Sequence, residues 1–431
     1  MLKKIAVACS LALLAAVPAW PGNGHMLHGT GPVNSSMGGA GAGLWLEPVG
    51  ALMFNPALLA ATEGQQITFA TEFFEDGIRI DVTLNDGSTG RTKPSNQIGV
   101  LPSFGWAMRK PQSKWAYGLG LIAIAGFRTD YPEDPGSIVF DTPPNGFGRI
   151  FTDYRKTKIP FAVAYQATPK LALGASLNTY LAELAIAPLP HRVFDENPPG
   201  DPATRFYPQG GNLDNEITFA AQLGFFYTAS PKVSVGGSVT TEQDFDRFTW
   251  NSTVANPTLP NFGEHRELDF DLDGPFIATA GTGIKPNPKT SIALDVMWIR
   301  YDGVAGFGSP GGIVDRIVFP FGWRNVWVYK VGVEYKASSK WTLRAGYNYS
   351  NTPLRSEVVL TATGAPATFQ DHYCGGVGFK LTDSVAAEAS FYVVPRNHVI
   401  GPYPDLDNNR LGTMDTSNKL NSVLVGLSWT F

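Results

Sequence analysis

From Gln65 onward the chain alternates apolar and polar side chains over stretches of about a dozen residues, the period-2 signature of strands with one apolar face. Trp341, Leu343, Ala345, Tyr347 and Tyr349 fall on one face of such a stretch, and Thr342, Arg344, Gly346, Asn348 and Ser350 on the other. Trp327, Tyr329, Val331, Val333 and Tyr335 likewise oppose Val326, Val328, Lys330, Gly332 and Glu334. Aromatic residues close both ends of each apolar row, which suits two membrane interfaces flanking a hydrocarbon band. The pattern predicts fourteen strands, near 65–75, 96–109, 114–128, 157–168, 171–187, 213–229, 233–250, 266–285, 290–302, 323–337, 341–352, 367–382, 384–396 and 419–431.

The connections between them alternate strictly. Six short turns lie around 110–113, 168–170, 230–232, 286–289, 337–340 and 382–383, and seven long loops near 76–95, 129–156, 188–212, 251–265, 303–322, 353–366 and 397–418. An even-stranded antiparallel barrel with both termini on one side has one connection fewer on that side, as counted here. A soluble β-sandwich is the competitor, but its outer faces should be polar. Here the clean apolar face carries the aromatics, and the other carries charges, glycines and hydroxyls. Val423, Val425, Leu427, Trp429 and Phe431 share one face of the last strand. A terminal aromatic so placed resembles the signal by which outer-membrane barrels are recognised, making the barrel assembly machinery an expected partner through Phe431.

Composition narrows the class. Only 16% of the 431 residues are charged, 12% are aromatic, and Gly (47) and Pro (33) are plentiful. Past the first residues no apolar run reaches the ~20 positions of a spanning helix. A net charge of −4 without a basic stripe gives no attraction for nucleic acid. Lys3, Lys4, the apolar Ile5 to Val17 and the small-residue site Val17-Pro18-Ala19 read as a secretory signal over 1–19. Its removal takes Cys9 and leaves Cys374 alone, so no intramolecular disulfide is expected.

Catalytic and metal chemistry find little footing. His25 and His28 have helical spacing but stand among Gly22, Gly24 and Gly29, so neither a helix nor a metal site is expected there. Asp269, Asp271, Asp273 and Gly274 open like a calcium loop, yet position twelve is Ala280. No G-x-S-x-G elbow presents a nucleophile. No cofactor, metal or catalytic residue is expected.

Residues 20–63 lack strand periodicity, and a lumen of fourteen strands is too wide for its own side chains to fill. A folded plug inside the barrel would bury Leu44, Trp45, Leu46, Leu52, Met53 and Phe54. Ser36, Gly38, Gly39 and Gly41 in Ser-Met-Gly-Gly-Ala-Gly, followed by Asn55-Pro56-Ala57, resemble the hatch of the FadL/TodX family of outer-membrane transporters for hydrophobic compounds. Trp341-Thr-Leu-Arg-Ala-Gly-Tyr and Ser350-Asn-Thr-Pro353 resemble its late-strand pattern. The resemblance spans essentially the whole mature chain. It implies an all-β transmembrane antiparallel barrel of about fourteen strands over 64–431 with a hatch over 20–63. It also implies a Gram-negative outer membrane and diffusion of cargo past external loops, into a lumen pocket, and sideways into lipid beside a kinked third strand.

The residues support part of this. The third predicted strand, Leu119 to Phe127, is apolar on both faces, turning Ile122 and Ile124 inward against cargo or plug, while Gly118, Gly120 and Gly126 permit a bend or close plug contact. For capture the loops offer Leu189, Phe194, Phe206, Tyr207, Leu259 and Phe262. A carboxylate would meet a lumen cation from Arg109, Arg128, Lys330, Arg344 or Lys380, although Asp295, Glu334 and Glu388 share that face and ion pairing competes. Long-chain fatty acids are the first expected cargo and aromatic hydrocarbons the second, with outer-membrane lipid around the barrel. A lipid-acting barrel enzyme and a structural surface barrel are the rival classes.

Overall fold

The computed structural model describes residues 22–95, 98–142, 146–192, 195–198, 201, 206–315, 317–405 and 409–431. The expected leader, 1–19, and Phe194 lie outside the described residues. Fourteen antiparallel strands form the wall: β1 Gly64–Asp76, β2 Gly99–Arg109, β3 Trp115–Tyr131, β4 Ile150–Gln166, β5 Leu171–Ala187, β6 Gly210–Ser230 and β7 Val233–Thr240. They continue with β8 Phe276–Asn287, β9 Thr290–Arg300, β10 Val326–Lys336, β11 Trp341–Ser350, β12 Asp371–Lys380, β13 Val385–Pro404 and β14 Arg410–Thr430. Each pairs with its neighbours in sequence, and β1 closes on β14 from Gln66 opposite Thr430 to Asp76 opposite Leu420. Closure removes the sheet edge that would otherwise leave unpaired amides in hydrocarbon, at several kcal/mol each. No described helix is long and apolar enough to span a membrane, so the strands alone make the crossing.

The alternation has the expected polarity. Leu343 is 49% exposed on the outside and Trp327 48%, while Val328, Asn348 and Ser350 are buried inside. Trp298 stacks on Trp327 at 6.1 Å, and Trp341 packs against Phe379 at 4.5 Å at the opposite rim.

Several predicted boundaries need correction. The strands expected over 233–250 and 266–285 are each interrupted. Phe248–Thr253 pairs with His265–Phe270 as a separate external ribbon, and the barrel resumes only at Phe276. Pro275, which has no N–H to offer a ladder, stands at that break. The loop expected over 397–418 is largely strand, because β13 and β14 project together beyond the wall. A register shift between Val394 and Asn397 absorbs Pro395 and reverses the alternation there, hiding the continuation. Arg79–Leu84 and Thr89–Thr92, inside the loop expected over 76–95, add a further ribbon to β14. β4 likewise begins at Ile150, within the loop expected over 129–156.

Residues 22–63 fill the lumen. They form α1 Gly31–Ser36, α2 Pro48–Phe54 and a 3₁₀ turn Pro56–Ala61, nearly all buried. Prolines start each element at a first-turn position, where the missing N–H costs nothing.

Candidate functional site

The hatch is mostly irregular backbone, so its carbonyl and N–H groups need partners from the wall. The last carbonyls of α2 have none within the helix. Lys158 Nζ donates to Leu52 O at 2.9 Å and Met53 O at 3.3 Å, Gln222 Nε2 donates to Met53 O, and Ser238 Oγ donates to Phe54 O. A cation there also matches the negative end of the helix dipole. Asp295 Oδ2 accepts the N–H groups of Gly41 and Ala42 at 2.8 and 2.9 Å. Asn55 ties the turn together. Its Nδ2 donates to Ala42 O and to Phe225 O on β6, and its Oδ1 accepts the Ala57 N–H. Pro56 and Ala57 begin the 3₁₀ turn that follows.

Close contact between hatch and wall depends on lumen-facing glycines that the sequence reading did not single out. A Cβ on Gly174 would stand 2.2 Å from Ala57 N, one on Gly224 2.2 Å from Asn55 Oδ1, and one on Gly346 2.2 Å from Gly38 N. The signal was present, since these glycines occupy inward positions of clean period-2 strands. On the hatch side Gly39 has φ +73°, and a Cβ there would meet His28 O at 1.7 Å. Ser36 donates to Val33 O, capping α1 from within. Gly118 and Gly120 lie against Leu52 of the hatch, and Gly126 donates its N–H to His25 O.

The third strand departs from regular pairing. The β2–β3 ladder ends where Ser103 faces Ile122, although β2 continues to Gly99 along β1. On its other side β3 slips register against β4 between Ala123 and Ala125, leaving Ile124 as the extra residue. The hatch occupies the freed groups: Leu27 N–H donates to Ile124 O at 3.0 Å, and Met26 bridges Ala125. A gap between strands is tolerable at membrane depth only where protein or a cavity covers it.

Among the described residues, cavities lie both outside and beside the hatch. The outer one, about 70 Å³, is lined by Phe147, Ile186, Leu189, Tyr207, Phe321 and Leu360 among others. The inner one, about 20 Å³, lies between Met26, Leu27, Met53, Phe54, Ile124 and the polar Lys158 and Gln222. An aromatic column connects their surroundings. Phe321 packs on Phe307 at 5.3 Å, and Phe307 stacks on the His25 ring at 4.5 Å. Ile122 and Ile124 are fully buried, Ile124 in the inner cavity wall.

Of the loop residues singled out in sequence, Leu189 and Tyr207 line the outer cavity. Phe206 bridges Asp195 instead, and Leu259 and Phe262 lie in the turn of the external ribbon. The candidate lumen cations are engaged by protein. Arg109 donates to Ala60 O and Ser113 O, Arg128 lies 4.0 Å from Asp153, and Lys330 donates to His28 O and Gly39 O. Arg344 is clamped between Glu334 at 2.8 Å and Glu388 at 2.7 Å. The cations that sequence reasoning missed are Lys156 and Lys158, both buried on β4. Both donate to neutral acceptors, Lys156 to Gln243 Oε1 and Lys158 to Gln222 Oε1 and the two carbonyls of α2. Lys156 was hidden because its segment was assigned to a loop. The aspartates at 269 and 271 pair with Arg192 and Arg247, and Asp273 accepts the Phe245 N–H. Among the described residues no group of three His, Cys, Asp or Glu side chains is placed to hold a metal.

Residues 212–431, the C-terminal half, match the family described as outer membrane protein transport protein (OMPP1/FadL/TodX). The chain belongs to this family. Membership places it in the outer membrane as a transporter of hydrophobic compounds, and solved structures of that family share its fold. The toluene transporter TodX of P. putida superposes with a TM-score of 0.68 at 17% identity, covering 94% of this chain and 99% of that one. The toluene transporter TbuX of Ralstonia pickettii gives 0.64 at 20% over 94% and 99%, and a Pseudomonas aeruginosa FadL homologue 0.70 at 16% over 94% and 98%. No curated protein sequence matches the chain.

Proposed function

We propose that the protein admits amphipathic hydrophobic molecules, long-chain fatty acids first among them, by diffusion and without a covalent step. Cargo is caught in the outer cavity by Leu189 and Tyr207, follows the aromatic column, reaches the inner cavity beside Ile124, and leaves through the gap between β2 and β3 into lipid. The observation that carries this reading is the pair Lys156 and Lys158. Two buried lysines on one strand, hydrogen-bonded to neutral oxygens, with Lys158 itself and Gln243, the partner of Lys156, in the wall of the inner cavity, are matched to a carboxylate whose tail needs burial. Arg109, Arg128, Lys330 and Arg344 hold the wall and hatch together in this reading. Ser36, Gly38, Gly39, Gly41, Asn55, Pro56 and Ala57 shape the hatch, and Phe431 engages the assembly machinery.

The test is equilibrium binding of a long-chain fatty acid and of its methyl ester to the purified protein. Wild type prefers the acid by roughly tenfold or more, the size of one charge-assisted hydrogen bond. Lys156→Met with Lys158→Met brings the two ligands to equal affinity. Equal binding by wild type refutes the carboxylate assignment. A second reading, neutral aromatic cargo, draws on the stacked column of Phe307, Trp323 and Phe321 and on the toluene transporters among the solved relatives. It predicts tighter binding of toluene than of the fatty acid.

A further inference from the structure

The N-terminal segment that covers the gap carries two histidines, His25 and His28, at either end of Met26-Leu27. Both rings are buried. Tyr301 Oη accepts the His25 backbone N–H at 3.1 Å and lies 2.8 Å from His25 Nδ1. The other ring nitrogen, Nε2, is buried without a hydrogen-bond partner among the described residues, so a cationic ring would leave an N–H unpaired there. The His28 ring has its Nε2 3.3 Å from Ser35 O and 3.6 Å from Cys374 Sγ, and stacks on His372 at 5.0 Å.

We propose that residues 22–28 form an acid-released latch, in which protonation of His25 and His28 expels the segment from β3 and uncovers the gap beside it. Its transport consequence rests on the lateral exit proposed above; the latch itself does not. A positive charge on either ring meets unfavourable neighbours. Around His25 these are Tyr154 and Tyr301, with Lys156 adding its charge and Asp273 standing beyond that lysine. Around His28 they are His372 and Cys374 from β12, Tyr392 from β13 at 4.2 Å, and Lys330, whose Nζ binds the His28 carbonyl. Glu72, the carboxylate on the far side of Tyr392, is already bound by Tyr392 and Ser422.

Burial holds both imidazoles well below their ordinary range, with Lys156 adding to the effect at His25, and His372 and Lys330 adding to it at His28 against the Ser35 carbonyl, which favours the charged ring. The released segment therefore binds more protons than the docked one, and acid favours release. Below an ordinary imidazole value of about 6.5, each histidine shifts the equilibrium by up to tenfold per pH unit. Glu47 acts in the opposite sense. Its buried carboxyl, which accepts the Asn34 N–H, is pushed up to about 8, so acid strengthens the contact between α1 and α2.

Cys374 is a built-in reporter, because it is buried against His28. The experiment follows its reaction with dithiodipyridine, a thiol reagent active in acid, in full-length protein carrying Cys9→Ser. At each pH the rate is divided by that of a small free thiol. Between about pH 7.5 and 5 the normalised rate is expected to rise on the order of a hundredfold, with a slope approaching two protons. His25→Phe alone lowers the slope to about one, and His25→Phe with His28→Gln flattens the profile, while Glu47→Gln leaves the acid rise in place. A flat wild-type profile, or a double variant that keeps the rise, overturns the proposal. Barrel assembly is checked by heat-modifiable migration, and where the double variant does not assemble the slope of the single variant decides. Acid-dependent exposure of Cys374 with cargo uptake unchanged upholds the latch and refutes the lateral exit route.

Discussion

At the scale of single residues, the hatch is held by a few side chains that answer backbone groups the fold leaves unpaired. Asn55 is the densest case, with three hydrogen bonds to Ala42 O, Phe225 O and Ala57 N. Asn55→Ala strands the buried Ala42 carbonyl and the Ala57 N–H and removes the bond to Phe225 O, so it should destabilise hatch docking by about 2–4 kcal/mol while the barrel still assembles. Hydrogen exchange of the hatch amides checks this; unchanged protection would show that other contacts suffice. Glu47 gives a residue-level pH effect. Its folded-state value is raised, so the stability it contributes is fully present below the ordinary carboxyl range and is lost as pH climbs through about 8. Glu47→Gln should abolish that loss, which amounts to at most about 1.4 kcal/mol per pH unit, as read by exchange at Asn34.

At the scale of elements, β3 is the strand whose irregularity the hatch fills. It parts from β2 beyond Ile122, carries an extra residue at Ile124, and gives its freed groups to Met26 and Leu27 of the hatch. Deleting Ile124 should restore register with β4 and remove the kink. Uptake of hydrophobic cargo is then expected to fall by about tenfold or more with barrel yield unchanged, measured with labelled fatty acid in outer-membrane vesicles. Parallel loss of yield and uptake would assign Ile124 to packing alone. Gly174, Gly224 and Gly346 have the complementary role of letting hatch backbone touch strand backbone. Gly224→Val should displace Asn55 and mimic Asn55→Ala in the same exchange assay.

For the whole molecule, the closed barrel and its stopper are separable. The strands satisfy each other's backbone through β1 and β14, so the wall does not need the hatch to complete its hydrogen bonding. The lumen does need it, because fourteen strands enclose more space than their side chains fill. Removing residues 22–60 should leave an assembled barrel that conducts ions in planar bilayers, whereas the intact chain stays closed. Unchanged conductance would mean that the external loops form the seal.

How far the primary structure reached follows from what each feature depends on. Strand number, strand order, the lipid face and the presence of a stopper were readable, because alternation against a hydrocarbon solvent is a local constraint repeated in every strand. Trp341 to Ser350 shows this without ambiguity. Boundaries failed at Pro275 and Pro395, where one proline ended a ladder and the other was absorbed by a register shift that reversed the alternation. Whether a lumen charge is free or engaged depends on what stands across the barrel, often hundreds of positions away, as with Lys330 and His28. Pairing Arg344 with Glu388, setting Lys156 beside Gln243, and laying Met26 along Ala125 are likewise consequences of closure. Sequence by itself determined which solvent each face meets, since that is fixed residue by residue. The tertiary structure alone decided which inward groups meet, because contacts across a lumen leave no periodic trace along the chain.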